Sequence, residues 1–252
     1  MIRRALRVAE PLLLVAVILA AWEFLPGALN IKAYLLPAFS DVLSAGWTAR
    51  SSLTDYLWIT SREVLLGFLL AAAGGLLLAV LIYGSGFLRR TLYPLLVALQ
   101  GLPKVALAPL FVIWFGYGLG SKVLMAFLFA LFPVAISTLG GLAGTPAHLE
   151  EHFRALRASR WATFAQLRVP YALPAVIDGC KVAMPLAVIG AIVGEFVGAD
   201  EGLGMLIQSA ASSNRTDLVF ASLLLVTVLS FVLYGVIELL GRLVWWRGRA
   251  AA

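Results

Sequence analysis

The segment TPAHLEEHFRALRASRWATFAQLRVPYALP, residues 145–174, is the longest polar interruption in the second half of a chain that is otherwise mostly apolar. It carries both histidines of the protein, two glutamates, and the arginines Arg154, Arg157, Arg160 and Arg168. Long hydrophobic runs flank it on both sides. A basic amphipathic segment between two membrane spans lies on one aqueous side of the bilayer, where it is a candidate docking surface.

The local chemistry of this linker predicts two short helices. Thr145 is the predicted N-cap of the first helix, with Pro146 at its first helical position, where a missing N–H does no harm. One continuous helix would place two arginines in the same arc as the large apolar side chains, so a break is needed. A turn near Ala158 and Ser159 supplies that break, and Ser159 is the predicted cap of a second helix that runs to Leu167.

Composition decides the broad class of the protein. The 252 residues are 62% hydrophobic and 13% charged, with a mean hydropathy of +0.98. Soluble domains are nearer one-half apolar and about a quarter charged, so this chain is not a soluble globular domain. The net charge of +6 comes from residues lying between apolar runs, which indicates membrane topology and no nucleic-acid partner. The single cysteine, Cys180, excludes an internal disulfide.

The apolar runs predict an all-α membrane protein with six transmembrane helices in one permease domain spanning residues 1–252. The first run follows a basic start like that of a signal peptide, yet no persuasive cleavage site follows, so it is interpreted as an uncleaved span. Residues 27–61 are interpreted as a polar connection with a short amphipathic helix after Ser40. Pro94 and Pro109 interrupt the third run. The predicted spans are residues 8–28, 63–83, 92–117, 123–142, 175–197 and 218–245.

Charge counting predicts the orientation of these spans. With six crossings, one side collects twelve arginines, in the N-terminal segment, the pair Arg89–Arg90, the linker and the C-terminal tail. The other side collects five cations, Lys32, Arg50, Arg62, Lys122 and Arg215. The cytoplasmic side carries the excess of positive charge, so both termini and the linker are predicted to be cytoplasmic.

The linker resembles the cytoplasmic coupling loop of type I ABC-importer permeases, whose pattern is E-A-A, three residues, G, nine residues, I-x-L-P. Glu151-His152-Phe153 stands at the E-A-A positions and Leu167-Arg168-Val169-Pro170 at the I-x-L-P positions. Both alanines are replaced, and Arg157 occupies the position of the turn glycine. If that residue has positive φ, an arginine costs about 1 kcal/mol or more relative to glycine. Four further residues match the branch that imports sulfonates, taurine and nitrate: Arg154, Leu156, Ala158 and Ser159.

Two further stretches carry the same resemblance. GLPKVALAPLFVIWFGYGLGSK, residues 101–122, is similar to the third-span segment of the family across more than twenty residues. LLPAFSDVLSAGW, residues 35–47, resembles the segment that follows the first span in the sulfonate and nitrate branch. The resemblance covers most of the chain, from about Leu36 to Trp245.

The resemblance implies a type I ABC importer (MetI-like) fold in a bacterial inner membrane. It also implies a second permease copy forming a homodimer, two ATP-binding subunits and an extracytoplasmic substrate-binding protein. The cargo implied is a small polar, anionic solute: a sulfonate, taurine, nitrate, or a related small molecule or vitamin precursor. The sequence contains no G-x-x-x-x-G-K-[ST] phosphate loop, so ATP and Mg are expected on the partner ATPase. No cofactor, metal or catalytic residue is predicted for this chain.

Two groups of functional residues are predicted. Phe153, Leu156 and Trp161 are the expected apolar anchors on the ATPase. The full set of ATPase-coupling residues is Glu151, Phe153, Arg154, Leu156, Arg157, Ala158, Ser159 and Trp161. Four ionisable residues lie inside apolar runs and are candidates for lining the translocation path: Lys104, Asp178, Lys181 and Glu195.

The residues proposed to line the path also have purely structural interpretations, and the sequence alone does not decide between them. Asp178 and Lys181 are three residues apart and suit a mutual ion pair. Glu195 follows the glycine pattern Gly190-x3-Gly194-x3-Gly198, which predicts a helix contact and, in one interpretation, a subunit interface. The next stretch, ADEGLGMLI, resembles the family's outer loop and is a candidate contact for the binding protein.

Two other function classes compete with the permease. An ATP-independent channel or ion-coupled secondary carrier would use Lys104, Asp178 and Glu195 as a charge relay. A zinc peptidase is suggested by His148-Leu149-Glu150-Glu151-His152, which has the H-x-x-E-H spacing. The sequence offers no third histidine, and a five-residue match is a weak signal.

Overall fold

The computed structural model describes the backbone of residues 2–244 and the side chains of residues 10 and 13–242. Helices dominate this range, which contains no strand, and the predicted all-α class is confirmed. The helices are α1 Ile2–Ala28, α2 Phe39–Thr48, α3 Arg50–Gly84, α4 Gly86–Gln100, α5 Ala108–Phe115, α6 Leu119–Ala143, α7 Ala147–Ala155, α8 Arg160–Thr163, α9 Val169–Gly198, α10 Leu203–Ser212 and α11 Thr216–Val244. A 3₁₀ turn (Lys104–Leu107) precedes α5, and a π-helical turn (Phe164–Arg168) joins α8 to α9.

Helices α3, α6 and α9 form the core of the bundle, and small residues set their spacing. A Cβ added to Gly67 of α3 would stand 2.4 Å from the Cβ of Ala126 on α6. A Cβ on Gly190 of α9 would stand 2.7 Å from the carbonyl oxygen of Met125, also on α6. In lipid, where apolar burial supplies little force between helices, such close backbone approach gives van der Waals contact instead. The predicted contact role of the α9 glycine face is confirmed within one chain: Gly190 and Gly194 pack on α6, and Gly198 packs on Val112 of α5 and on Tyr117.

Helices α1 and α2 meet at the end of the bundle where α3 begins. The carboxylate of Glu23 accepts hydrogen bonds of 2.8 Å from both the backbone N–H and the hydroxyl of Ser40. An acceptor at this place satisfies a free donor in the first turn of α2, where negative charge is favoured. Trp22 also donates to the carbonyl of Pro37 at 3.1 Å. The short helix expected after Ser40 is therefore present, and the first helix orients it.

Helix α3 is longer than predicted. Its 35 residues correspond to about 52 Å, more than the ~30 Å of a bilayer core. It begins at Arg50 rather than at residue 63, so the assignment of residues 50–61 to a polar connection was wrong. The reason is that these residues contain no proline or glycine and pack against α10 and α11 beyond the apolar stretch. Thr60 lies in the extra turns, three residues before Glu63, the first residue of the predicted span.

The predicted third span, residues 92–117, is two helices that meet at 93°. The break follows Gly101 and Pro103, where the missing N–H of proline ends a regular helix. Helix α4 starts next to the end of α3, while Val112 of α5 and Tyr117 pack beside Gly198 at the far end of α9. The α4–α5 pair thus runs from one end of the bundle to the other, as a broken span does.

Four helical segments are long and apolar enough to cross a membrane, and the broken pair makes a fifth. The apolar part of α1, Leu13–Ala28, is shorter, so the count of six crossings stays a prediction. Arg247, Arg249 and the last residue of the predicted sixth span lie outside the described residues. The end of the bundle that holds residues 145–168 is called the linker end below, and the end near Thr60 is called the cap end.

Candidate functional site

The first half of the linker folds as α7, capped differently from the prediction. Pro146 is the N-cap residue, with extended backbone (φ −60°, ψ 136°), and the helix starts at Ala147. The hydroxyl of Thr145 instead donates to the carbonyl oxygen of Leu142 at 3.4 Å, so its predicted capping role was wrong. Thr145 serves the preceding helix, whose last carbonyls lack partners of their own.

Helix α7 ends in a left-handed turn at Arg157. Its φ of 51° is positive, and its N–H donates to the carbonyl of Arg154 at 2.9 Å. The N–H of Ala158 donates to the carbonyl of Phe153 at 3.0 Å, which completes the Schellman pattern that glycine usually ends. The left-handed turn therefore forms at Arg157, although a residue with a Cβ is strained in this conformation. This turn lies just before the predicted position at Ala158 and Ser159.

The second half of the linker continues into the membrane helix. The hydroxyl oxygen of Ser159 accepts the N–H of Ala162 at 3.1 Å, which confirms the predicted N-cap. The predicted end at Leu167 is wrong, because α8 passes through the π turn directly into α9. Pro170 cannot donate to the carbonyl four residues earlier, and a π turn widens the helix just before it. Any force on α8 therefore acts on α9 through continuous helix.

Arg168 joins three parts of the linker end. Its guanidinium donates to the carboxylate of Glu150 on α7 (Nη2–Oε1 2.9 Å) and lies 5.0 Å from the ring centroid of Tyr83, near the end of α3. The ring of Phe164 stacks on the same tyrosine with 6.5 Å between centroids. The groups are partly buried, which favours a charge-assisted contact over an exposed pair. Helices α7, α3 and α9 are thus tied together at one point.

The predicted ATPase-facing residues divide into exposed and packed members. Leu156 is 67% exposed and Trp161 is 74% exposed, while Phe153 is half-buried. Two of the three predicted anchors therefore face outward, and Ala158 is half-buried. The remaining members are exposed and polar: Glu151, Arg154, Arg157 and Ser159. Two large apolar side chains among cations form a surface suited to docking on another protein.

Lys104 lies at the break between α4 and α5. Its ammonium is 4.7 Å from the ring centroid of Phe132 and 5.5 Å from that of Phe129, both in the middle of α6. Aromatic faces attract a cation that has left water. Lys104 therefore lies midway along α6, away from both ends of the bundle.

Asp178 and Lys181 form the predicted pair at 3.2 Å, in the half of α9 that lies toward the linker end. Lys181 also binds Glu238 of α11 at 2.6 Å, and Arg242 binds the other oxygen of Glu238 at 3.1 Å. The structure therefore extends the predicted pair into a network between α9 and α11. Charges at membrane depth are tolerated when they are paired in this way.

Glu195 is enclosed rather than open to a path. It is 1% exposed, and its Oε1 accepts the hydroxyl of Thr60 at 2.6 Å. Its Oε2 accepts the backbone N–H of Gly204, and Thr60 in turn accepts the N–H of Leu203 at 3.0 Å. A Cβ on Gly202, whose φ is 119°, would stand 2.4 Å from this carboxylate. Glu195 holds the corner between α9 and α10 against α3.

The candidate outer loop, residues 199–207, packs partly into this corner. Leu203 is fully buried, and only Asp200 and Glu201 are exposed. Asp200 and Glu201 are therefore the residues of this loop that another molecule can contact.

Three buried polar residues at the cap end were missed by sequence reasoning. Thr60 and Glu63 are three residues apart, so they share one face of α3. Lys122 is 4% exposed and donates to the carbonyl oxygens of Tyr117 and Gly118. The predicted connection ends at residue 61 and the predicted span begins at Glu63, so Thr60 and Glu63 flank the second apolar run. Polar residues in that position are the signal that could have found them.

The two histidines of the linker, His148 and His152, are exposed on α7. Across the described residues, no three His, Cys, Asp or Glu side chains are grouped so as to hold a metal ion. The H-x-x-E-H spacing in the sequence is thus not accompanied by a third ligand in this part of the structure.

This chain is similar in sequence to a known family of proteins and similar in fold to a solved structure. The family model described as "Binding-protein-dependent transport system inner membrane component" matches residues 64–246. The formylaminopyrimidine transport permease protein of Halalkalibacterium halodurans is 34% identical over 247 residues, covering 97% of this chain and 98% of the relative. A Bacillus subtilis permease named for aliphatic sulfonates is 34% identical over 247 residues, covering 94% and 87%. A chain of the inward-facing MetNI methionine ABC transporter shares the fold, with a TM-score of 0.69 at 20% identity, covering 78% and 98%.

Proposed function

The chain belongs to the family of binding-protein-dependent transport system inner membrane components, and we propose that residues 145–168 are the lever by which a separate ATPase drives it. It is the permease subunit of an ABC importer and not an enzyme. We infer that ATP is hydrolysed on another subunit, since this sequence has no phosphate loop of its own. ATP and Mg would be bound by that subunit, and this chain would hold no cofactor.

The position of Arg168 is the observation that supports this coupling role. It binds Glu150 on α7 at 2.9 Å, lies over Tyr83 of α3, and stands in the π turn that leads into α9. Movement of the linker is therefore passed to two core helices at once. A bound partner shifts a conformational equilibrium only by its differential affinity for the two states. We infer that the ATP-bound and ATP-free motors hold Leu156 and Trp161 differently.

The proposed assembly contains two copies of this chain, two ATP-binding subunits and an extracytoplasmic binding protein. Many apolar side chains of the described residues are exposed on this single chain, among them Ile113, Trp114 and Phe231. Lipid and a second permease copy would cover such surface, since a soluble monomer rarely leaves large apolar patches open. The exposed charges of Asp200 and Glu201 would face the binding protein.

The proposed cargo is a small polar solute that carries an acidic group. Relatives at the same 34% identity are named for formylaminopyrimidine and for aliphatic sulfonates, so overall likeness does not select one chemistry. Lys104, at the helix break midway along the bundle, supports an acidic group because it offers a cation beside the path. Broken helices at this depth are tolerated where they line a cavity or are buried in protein.

The docking role of the linker is tested by Leu156→Asp. A carboxylate in an apolar anchor position loses the packing and must be desolvated, so co-purified ATPase activity and solute uptake should both fall to background. Trp161→Asp should act in the same direction. Ser52→Asp is the matched control, because Ser52 is also exposed but lies near the start of α3 at the cap end.

Leu156→Asp and Trp161→Asp should both insert into the membrane as the unmodified chain does. Normal uptake in Leu156→Asp would refute the docking assignment. Liposomes containing only this chain should not accumulate solute, and accumulation there would favour an ATP-independent carrier instead.

The proposed orientation places the linker end in the cytoplasm. In a Cys180→Ala background, a cysteine at Ala155 should react with an impermeant maleimide only after the cells are opened, whereas one at Ser52 should react in intact spheroplasts. Labelling of Ala155→Cys from outside would reverse the orientation.

A further inference from the structure

Two adjacent arginines, Arg89 and Arg90, lie near the start of α4, which follows α3 at the linker end. Both side chains are exposed, and neither takes part in an ion pair between described residues. The sequence has no aspartate or glutamate between Glu63 and Glu150, and Glu150 is bound to Arg168. The positive charge of the arginine pair is therefore available to a molecule outside the chain.

The arginine pair lies at the edge of the apolar layer. It separates the apolar end of α3 from the apolar remainder of α4. The chain turns between these helices at Ser85, whose hydroxyl oxygen accepts the N–H of Leu88 at 3.4 Å. Cations that stand between two apolar helices in this way are at the depth of the phospholipid headgroups.

One face of α4 continues from the arginine pair as a lipid-facing stripe. Arg90, Tyr93 and Val97 are three and four residues apart, so they lie on the same face of the helix. Tyr93 and Val97 are exposed, whereas Leu96 packs in a buried cluster with Ile82 of α3. A cation, then a tyrosine, then an aliphatic side chain is the order expected from the headgroup level inward. A phospholipid with its phosphate at Arg90 would lay its acyl chains along this stripe.

We propose that Arg89 and Arg90 bind the phosphate of an anionic phospholipid in the leaflet on the linker side. A guanidinium presents paired donors that match phosphate oxygens. A soluble anion would gain only the two exposed side chains, whereas a lipid also covers Tyr93 and Val97. In the orientation proposed above, this is the cytoplasmic leaflet, whose anionic lipids attract basic residues beside a membrane helix.

The test counts lipids on the full chain, purified in detergent with its ATP-binding subunits. Native mass spectrometry follows titration with phosphatidylglycerol or with phosphatidylcholine, which carries no net charge. The first phosphatidylglycerol should bind at least about tenfold more tightly, since each arginine near an anionic headgroup contributes about fivefold. Arg89→Gln/Arg90→Gln should abolish this preference and leave phosphatidylcholine binding unchanged. Lys32→Gln/Arg50→Gln, which removes two exposed cations at the cap end, is the matched control and should keep the preference.

Arg90→Gln alone should weaken phosphatidylglycerol binding by about fivefold, and it replaces the double variant if that protein does not purify. Equal binding of the two lipids, or a preference that survives the loss of both arginines, would overturn the proposal.

Two further results would also overturn the proposal. Displacement of phosphatidylglycerol by an equal concentration of glycerol 1-phosphate would indicate a site for a free phosphate. Loss of the ATP-binding subunits or of a second permease copy from Arg89→Gln/Arg90→Gln, with no lipid preference in the unmodified chain, would indicate a protein contact. Failure of the proposed import function would look different, because lipid binding is measured without turnover and would persist.

Discussion

The hydroxyl of Thr60 on α3 donates a 2.6 Å hydrogen bond to Oε1 of Glu195 on α9, across 135 positions of the sequence. The same hydroxyl oxygen accepts the N–H of Leu203, the first residue of α10. One side chain therefore connects three helices and fixes the corner that bears Asp200 and Glu201. Both acidic residues also line a cavity of about 360 Å³ at the cap end.

Thr60→Val is expected to destabilise the cap end. Valine has nearly the same shape but no hydroxyl, so the carboxylate of Glu195 and the N–H of Leu203 each lose a buried partner. The free energy of unfolding should fall by about 2–3 kcal/mol, measured by denaturation of the purified protein in detergent. Thr60→Ser keeps the hydroxyl and should lose less. Thr54→Val, at an exposed position of the same helix, is the control, and an equal loss in that variant would contradict the role of the hydroxyl.

Gly202→Ala should displace the same corner by a different route. The φ of 119° is unfavourable for any residue with a Cβ, and the new atom would lie 2.4 Å from Oε1 of Glu195. We expect a loss of about 2 kcal/mol or more and faster hydrogen exchange at the amides of Leu203 and Gly204. Gly235→Ala in α11 is the matched control, because nothing lies within 4 Å of its added Cβ. Unchanged exchange at Gly204 would show that the corner tolerates the side chain.

Arg157→Gly is expected to stabilise the linker. Arginine at φ 51° bears the cost of the left-handed region, about 1 kcal/mol, and glycine removes it while keeping the Schellman hydrogen bonds. Protection of the amides of residue 157 and of Ala158 from hydrogen exchange should increase accordingly. Arg154→Gly, inside α7, should have the opposite effect because glycine weakens a helix interior. Lower protection in the Arg157→Gly variant would mean that the arginine side chain itself holds the turn.

The linker illustrates what the sequence can and cannot predict. Ser159 was identified as a cap because the interaction is local and spans three residues. Thr145 was misassigned because the following proline can itself occupy the N-cap position, a choice that depends on how the chain leaves α6. The run of helix through the π turn was also missed, since proline near a helix start is normally read as a boundary.

Polar contacts between different helices were harder to predict from the sequence than contacts within one helix. The pair of Asp178 and Lys181 was predictable from a spacing of three residues. Enclosure of Glu195 was not, because its partners, Thr60 and Gly204, come from other helices. Apolar periodicity fixes which segments are helical, whereas contacts between segments far apart in the chain follow from packing alone.

The last prediction concerns the cation at the helix break. Lys104→Met keeps the length and packing of the side chain but removes the charge that lies 4.7 Å from the ring of Phe132. If the acidic group of the cargo passes this point, uptake should fall by about tenfold or more, since even a partly screened charge contact is worth about 1.4 kcal/mol. ATPase co-purification should stay normal, because the whole of α4 lies between the linker end and Lys104. Lys104→Arg should retain part of the uptake. Lys32→Met, an exposed change outside the bundle core, is the matched control. Full uptake by Lys104→Met would place the path elsewhere and leave Lys104 as a structural partner of the two phenylalanines.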